Sequence, residues 1–428
     1  MVLEKRMPAL TGEKAQYLVH EFNDNTIRFV LNYPGQVDPE VLRRAVEAVV
    51  YSVDVLHGAF GMEKGKAIWR IYQDVEEGEY FRCIRLDSGA EQAGYEQSLI
   101  SVKPEEPVKF RCTLVQDGEI SSLVVTISHM VADGGDGKYL LDKLVEAYNR
   151  ILETGSAEGL AVKNGSRAPE QLYAHLSRKE QLALWHNPMP GTKNEFPFAD
   201  PEPGTPRVLR QVIDRETMGR AREKAKRSGM TANDLVLAAA YQAFAAVPGV
   251  DRAKPIGVMA MMDLRKHCPG GDSEGLSNMA GSLKTVMNGG VTGSFKETLE
   301  EIARQTREDK EDPMSGLEGV PMLHFAVGKS PMGLLLKVAP AVYGNMSIGV
   351  TNLGNLSGKA HRLGTLAPIS GMLGGPLKKK PGVQVSVLSV DGECALAIVG
   401  EYTDRDVPML EQMLADMART IRDYAEME

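Results

Sequence analysis

The chain has 428 residues, of which 43% are hydrophobic and 25% are charged, as is ordinary for a globular protein. The net charge of −8 argues against a nucleic-acid binder, which normally presents a basic face. The length predicts two or three domains. The four cysteines lie far apart, without the spacing of metal ligands or of a disulfide framework. We therefore expect reduced thiols, no metal site and a cytoplasmic location.

Neither a signal peptide nor a membrane span is expected from the apolar pattern. The opening residues, MVLEKRM, contain no apolar core of the kind that a signal peptide needs. No apolar run approaches the length of a transmembrane helix.

The first half of the chain alternates between predicted strands and helices. Asp38 and Pro39 suit the cap and first position of a helix, and the apolar residues from 41 to 50 fall on one helical face. Strands are predicted at 26–33, 67–73, 107–115 and 120–128, and a further helix at about 136–153.

The stretch from about 155 to 205 is rich in Pro, Gly and polar residues, which is typical of a linker or a long crossover. The alternation then resumes. Strands are predicted at 207–213, 255–263, 346–352, 383–390 and 394–401, and helices at 215–228, 231–247, 295–309 and 405–425. Because both halves mix the two element types, the sequence predicts a layered α/β or α+β fold, compatible with a pseudo-duplicated architecture.

One motif carries recognisable chemistry. The apolar strand LVVTI is followed by Ser128 and His129, and then by Asp133, Gly134 and Gly135 before a predicted helix. A histidine titrates near pH 6.5, so it can accept a proton at neutral pH and return it within one turnover. A lone histidine at a strand end is more often a structural residue in the core or at its rim. The motif alone leaves both interpretations open.

The pattern His129-x-x-x-Asp133-Gly134 resembles the motif of the chloramphenicol acetyltransferase-like superfamily, which includes nonribosomal peptide condensation domains and alcohol acyltransferases. YPGQVDPEVLRRAVEAVVYSVDVLHGAF resembles the first strand and helix of that superfamily, and SGMTANDLVLAAAYQAF the helix that opens its second half. Asp263-Leu264-Arg265 matches a recurrent Asp-Leu-Arg. SIGVTNLGNLSG is similar to its Ser-Asn-Leu-Gly strand, with Thr351 replacing the serine. These landmarks follow the family order along almost the whole chain.

Two departures narrow the resemblance. Ser128 stands where condensation domains usually carry the first of two histidines, and the second, credited with catalysis, is His129. The Asp-Phe-Gly-Trp-Gly motif of the plant-type branch is not found. The chain also has no visible carrier-protein or adenylation domain, so it most resembles free-standing bacterial alcohol acyltransferases.

The resemblance implies two chloramphenicol acetyltransferase-like lobes, arranged as a V-shaped pseudo-dimer with a tunnel between them. We expect an N-terminal lobe at 1–160, a crossover at 161–205 and a C-terminal lobe at 206–428. Single-lobe relatives build their site between subunits, whereas this chain is long enough for both lobes. We therefore expect a monomer, with no permanently bound cofactor.

The resemblance also implies roles for individual residues. His129 would be the general base, without an acyl-enzyme intermediate, and Thr351 or Asn352 would donate a hydrogen bond to the oxyanion. Asp133 would form a structural ion pair with Arg265. Gly134 would let the backbone bend away from the tunnel, so that bulk added there would enter open space. In the alternatives, Asn352 holds a turn with Gly354 and Arg265 is solvated.

The implied activity is transfer of an acyl group from a thioester, with acyl-CoA as the favoured donor, to an alcohol or an amine. One alternative is a stand-alone condensation domain that uses a carrier-protein thioester in trans. Another is a member of the fold that binds without catalysing. The basic run at 377–380 could contact the phosphates of coenzyme A or be a solvated loop. Acyl length, acceptor and membrane contact are not specified by the sequence.

Overall fold

A computed structural model describes residues 1–20, 22–186, 195–268, 275–343 and 348–427. Its elements before the crossover are β1 (Val2–Pro8), α1 (Thr11–Val19), β2 (Thr26–Pro34), α2 (Pro39–Val50), β3 (Gly58–Glu63), β4 (Lys66–Asp74), α3 (Glu77–Tyr80), β5 (Phe81–Arg85), α4 (Ala90–Gln97), β6 (Phe110–Gln116), β7 (Ile120–Ser128) and α5 (Gly134–Thr154).

The remaining elements begin inside the predicted crossover, of which residues 187–194 lie outside the described part of the chain. They are α6 (Arg178–Ala183), β8 (Thr205–Ile213), α7 (Arg215–Arg227), α8 (Ala232–Ala245), β9 (Ile256–Asp263), β10 (Ala280–Met287), α9 (Phe295–Glu311), α10 (Val320–Lys329), α11 (Met332–Tyr343), β11 (Ile348–Leu356), β12 (Ser370–Gly374), β13 (Val383–Val390), β14 (Glu393–Tyr402) and α12 (Val407–Glu426).

Helix starts follow the capping signals of the sequence. The Asp38 carboxylate accepts the backbone N–H groups of Glu40 and Val41 at 2.9 and 3.1 Å, so α2 begins where predicted. Ser294 and Glu297 form a capping box at the start of α9, the helix predicted at 295–309. Both signals act within one turn of helix, and a local signal of this kind is readable without tertiary contacts.

Two large sheets divide the molecule into lobes. In the N-terminal lobe the strand order is β12-β2-β7-β6-β5, and a small sheet with the order β1-β4-β3 lies beside it. In the C-terminal lobe the order is β10-β9-β11-β13-β14-β8. Helices α2 and α5 bury their apolar faces in the first core, and α8 and α12 bury theirs in the second. Each lobe thus has its own hydrophobic core.

The second half of the chain contributes one strand to the sheet of the N-terminal lobe. Although β12 lies deep in the second half of the sequence, it pairs antiparallel with β2, with Ser370 opposite Asn32 and Gly374 opposite Arg28. The sheet of the N-terminal lobe is therefore not contained in residues 1–160. The domain boundaries stay a prediction, with the amendment that residues 370–374 belong to the first sheet.

Several elements were not predicted, namely β1, α1, β3, α3, β5, α4, α6, β10, α10 and β12. All five of these strands lie at sheet edges, where a strand lacks the continuous apolar run of a central one. Among the described residues, no helix is both long and apolar enough to cross a membrane.

Candidate active site

His129 directly follows the buried strand β7, as the sequence predicts. The backbone N–H of His129 donates to the carbonyl of Asn25 at 2.8 Å, and the backbone carbonyl of His129 accepts a hydrogen bond from the side-chain amide of Asn278. Asn25 precedes β2, while Asn278 precedes β10 of the other lobe. The histidine backbone is thus held from both lobes, which fixes the position of the ring at their junction.

The imidazole is held in its neutral form. Burial lowers the pKa of His129 below its ordinary value of 6.5, the positive charge of Lys378 lowers it further, and the Asp133 carboxylate and Asn278 oppose both. The residue nevertheless keeps part of its surface exposed. The Nδ1 atom of His129 is buried without a hydrogen-bond partner among the described residues, whereas Nε2 is not both buried and unpaired in this way. A neutral, accessible imidazole at pH 7 can accept a proton from a bound molecule.

Asp133 caps the helix that follows the motif. Its carboxylate accepts the backbone N–H of Asp136 at 2.9 Å, and Arg265 Nη2 lies 3.0 Å from its Oδ2. The predicted pairing of Asp133 with Arg265 is therefore confirmed, and the alternative of a solvated Arg265 is wrong. No hydrogen bond joins Asp133 to the His129 ring within the part of the chain described, so a histidine–aspartate dyad is not formed.

Asp136 was missed in the sequence, although its spacing from Asp133 is that of a capping box. It is buried, and it accepts from Arg265 Nη2 at 2.7 Å and from the backbone N–H of Asn278 at 2.7 Å. Burial and the neighbouring Asp133 carboxylate raise the pKa of Asp136 to about 7. The residue joins α5 to the segment that holds the His129 carbonyl.

Asn278 was also missed. Its backbone φ of +52° is unusual for a residue other than glycine and suits asparagine. This conformation presents its N–H to Asp136 while its side chain donates to the His129 carbonyl. The recognisable signal would have been an asparagine in the loop before β10, but no local pattern links that loop to the motif.

Thr351 and Asn352 lie on β11 and are partly buried. The side-chain oxygen of Asn352 accepts the backbone N–H of Gly354 at 2.9 Å, so Asn352 holds the turn that the sequence left open as its alternative role. Its amide nitrogen is not used in that turn. The predicted oxyanion role of either residue stays a prediction.

Gly134 is not followed by open space. A Cβ added there would lie 2.7 Å from Cδ2 of Leu353, a side chain of the C-terminal lobe. The prediction that added bulk would enter an empty tunnel is therefore wrong. The glycine permits close contact between the first turn of α5 and β11, and Leu353 fills the position beside it.

The implied tunnel stays a prediction as well. Two surface depressions have volumes of about 680 and 290 Å³, and they lie beside the C-terminal part of α5 and beside α2. Neither borders His129. Among the described residues no cluster of His, Cys, Asp or Glu could hold a metal ion.

The basic run at 377–380 is not one solvated loop. Lys379 is exposed, but Lys380 Nζ lies 2.6 Å from the buried carboxylate of Asp406. Lys378 is partly buried, and its charge acts on His129 as described above. The lysines of this run therefore occupy three different environments.

Comparison with known proteins gives a distant sequence relative. No protein-family model matches the chain. Nonribosomal peptide synthetase 6 of Aspergillus fumigatus is 26% identical over 167 residues, a match that covers 37% of this chain and 12% of that protein. The chain thus corresponds to a small part of the length of that synthetase.

Solved structures match over the whole fold. The first condensation domain of the CDA synthetase superposes with a TM-score of 0.69 at 15% identity, covering 99% of this chain and 97% of that one. The trichothecene 15-O-acetyltransferase of Fusarium sporotrichioides superposes with a TM-score of 0.69 at 11% identity, and the match covers 97% of this chain and 95% of that one. The epimerization domain of tyrocidine synthetase B superposes with a TM-score of 0.66 at 15% identity, and the match covers 99% of this chain and 98% of that one. At such identities the likeness establishes the fold alone, and it confirms the predicted fold class and resemblance.

Proposed function

We propose that this chain, which has the two-lobed fold of the chloramphenicol acetyltransferase-like superfamily, transfers an acyl group from a thioester to an alcohol or an amine. The observation that carries the proposal is His129, a neutral and partly accessible imidazole whose backbone both lobes hold. A general base has to be unprotonated and rigidly placed at the operating pH. The solved neighbours, condensation domains and an acetyltransferase, support acyl transfer as the reaction class.

In the proposed reaction, His129 Nε2 takes the proton from the acceptor O–H or N–H. The freed lone pair forms a bond to the thioester carbonyl carbon, whose oxygen becomes an oxyanion. When the carbonyl re-forms, the C–S bond breaks, and the departing thiolate takes the proton back from the imidazolium. The protein never carries the acyl group, so one unmodified histidine suffices for both proton transfers.

The Asp133–Asp136–Arg265 cluster has a positioning role in this scheme. The three charged groups bond to one another and to the loop before β10, and none of them bonds to the His129 ring. They hold the start of α5 against the second lobe, and thereby fix the turn that carries His129. The cluster supports the geometry of proton transfer without taking part in it.

Acyl-CoA is the proposed donor, and a carrier-protein thioester used in trans is the second candidate. The match to a peptide synthetase and the likeness to condensation domains favour the carrier protein. The likeness to a free-standing acetyltransferase and Ser128 in place of the first histidine favour acyl-CoA. The two donors share the reacting thioester and differ only in the handle that the protein binds.

A thiol-release assay tests the proposal. The purified chain is given acyl-CoA thioesters of increasing length, or the same acyl groups on a phosphopantetheinyl carrier protein, with a panel of alcohols and amines. We expect acceptor-dependent release of thiol, which His129→Ala abolishes. Release with only one donor type identifies the handle. If no donor and acceptor pair reacts above the His129→Ala background, the chain binds without catalysing and the proposal fails.

A further inference from the structure

Lys378 lies where the two lobes meet. Its backbone pairs with Asn23 on one side and with Gly400 of β14 on the other. The N–H of Lys378 donates to the carbonyl of Val399 at 3.2 Å, and its carbonyl accepts the N–H of Glu401 at 2.8 Å. Since both neighbours are fixed, the lysine backbone is held as firmly as a residue within a sheet.

The segment 23–25 also reaches His129. Asn25 accepts the N–H of His129 at 2.8 Å, and Asp24 exchanges backbone and side-chain hydrogen bonds with Leu377 at 3.3 and 2.7 Å. Lys378 and His129 therefore flank the same short segment. Lys378 is also close enough to His129 to act on it electrostatically, because the Lys378 charge is one cause of the lowered pKa of His129.

The carboxylate whose charge acts on Lys378, that of Asp24, is already paired. Asp24 forms an ion pair with the buried Arg28, and it accepts the hydroxyl of Ser101 at 2.6 Å. Arg28 therefore balances the charge of Asp24, and the charge of Lys378 is left in excess. Burial lowers the pKa of Lys378 to about 8 while Asp24 opposes the shift, and a pKa above 7 keeps the protonated amine the main form at pH 7.

Two other lysines of low exposure, Lys109 and Lys380, are paired. Lys109 Nζ donates to the carbonyls of Lys103, Glu106 and Val108. Lys380 Nζ has Asp406 at 2.6 Å. By contrast, Lys378 Nζ has no hydrogen-bond or ion-pair partner within 4 Å among the residues that the structure describes. An ammonium group that is partly withdrawn from water is unfavourable without a partner, so an anion bound at Lys378 would complete its pairing.

We propose that Lys378 forms an anion subsite beside His129, which binds a carboxylate on the acyl acceptor. This inference rests on the proposed function and adds the substrate class, a hydroxy acid or an amino acid. Such an acceptor carries its carboxylate a few bonds from the nucleophilic oxygen or nitrogen. One end can therefore bind Lys378 while the other donates its proton to His129. The phosphates of coenzyme A are separated from the thioester by the long pantetheine arm, and so fit this position less well.

The first experiment measures binding without turnover. The chain with ¹³C-labelled histidine rings is titrated with 3-hydroxybutyrate and, separately, with its methyl ester, and the His129 signal is assigned by its loss in His129→Ala. We expect the acid to shift this signal in the wild type and in the exposed control Lys379→Met, but not in Lys378→Met. The ester should have no effect. A shift that persists in Lys378→Met overturns the proposal.

The second experiment measures turnover with matched acceptors. For hydroxy or amino acids, we expect Lys378→Met to lower kcat/KM at least tenfold, with less than a threefold change for the corresponding esters. Lys378→Arg should retain most of the preference for acids. Equal losses for acids and esters overturn the subsite, as does a preference that follows an acidic group on the acyl donor.

The two proposals can fail separately. If carboxylate binding depends on Lys378 but no acceptor is acylated, the subsite stands and the proposed acyl transfer fails. If acylation depends on His129 while Lys378→Met treats acids and esters alike, acyl transfer stands and the subsite fails.

Discussion

Two charged regions of this protein lie a few residues apart and differ in how completely their polar groups are paired. Around Arg265, the carboxylates of Asp133, Asp136 and Asp263 lie within 3.0 Å of the guanidinium. Around His129, the buried Nδ1 has no partner among the described residues, and no hydrogen bond or ion pair to the ammonium of the partly buried Lys378 is found among them either. Folding alone accounts for the ion-paired cluster, whereas in our proposal the groups near His129 bind a second molecule.

The largest expected effect is on the unpaired side. His129→Ala should lower the acyl-transfer rate by about 10²–10⁴-fold, the usual contribution of a general base. The melting temperature should change little, because the ring is partly exposed and its Nδ1 has no hydrogen-bond partner among the described residues. Thiol release and differential scanning calorimetry measure the two quantities on the same preparation. A variant that retains more than half of the native rate would rule out the proposed base.

The next effect is on the paired side. Arg265→Met removes the cation from a cluster of buried carboxylates, and should lower the free energy of unfolding by about 3–5 kcal/mol. Urea denaturation followed by circular dichroism measures the loss. Arg207→Met is the matched control, since its partner Asp404 is 90% exposed, and it should cost less than about 1 kcal/mol. Similar losses in the two variants would contradict the distinction drawn here.

A smaller effect is expected where the lobes touch. Gly134→Val places a Cβ 2.7 Å from Leu353 Cδ2, and overpacking of this kind costs about 1–3 kcal/mol of unfolding free energy. Adding Leu353→Ala to the same chain should restore part of the loss, because it removes the atoms that clash. Denaturant midpoints of both single variants and of the double variant test this. Strictly additive losses would show that the two residues do not interact.

The smallest effect concerns titration. The pKa of His129 in the folded protein lies below 6.5. The acid limb of the pH profile of kcat/KM should therefore have its midpoint below pH 6.5. The charged groups that act on the ring are Asp133 and Lys378. Lys378→Met removes the positive one, so it should move the midpoint upward, as ring NMR can follow. A midpoint at or above 6.5 in the wild type would contradict a neutral, enclosed base.

Local signals in the sequence predicted the elements that carry the site better than the contacts between the lobes. The capping residue Asp38, the strand before His129 and the apolar face of α5 are all defined within a few turns of chain, and all are present. The pairing of Asp133 with Arg265 followed from a family motif. The role of Lys378 could not be read in the same way, because it depends on Asn23 and Gly400, which lie far away on either side.

The contact of Gly134 with Leu353 was mispredicted for a related reason. Sequence shows that a glycine begins α5, but not which side chain of the other lobe fills the space beside it. The environments of Asp136 and Asn278 depend on the same meeting of lobes. What escaped prediction at the site is therefore concentrated at the lobe interface.

The pairing of the late strand β12 with β2 has a consequence for synthesis of the protein. Until residue 374 has left the ribosome, β2 is the open edge of its sheet, and its central residues Phe29, Val30 and Leu31, buried in the finished protein, lie along that edge. An unpaired apolar edge is a template for association with other chains. The nascent first lobe therefore depends on protection during most of translation. A fragment ending near residue 160 should aggregate when made alone, and should be rescued by co-expression of the remainder.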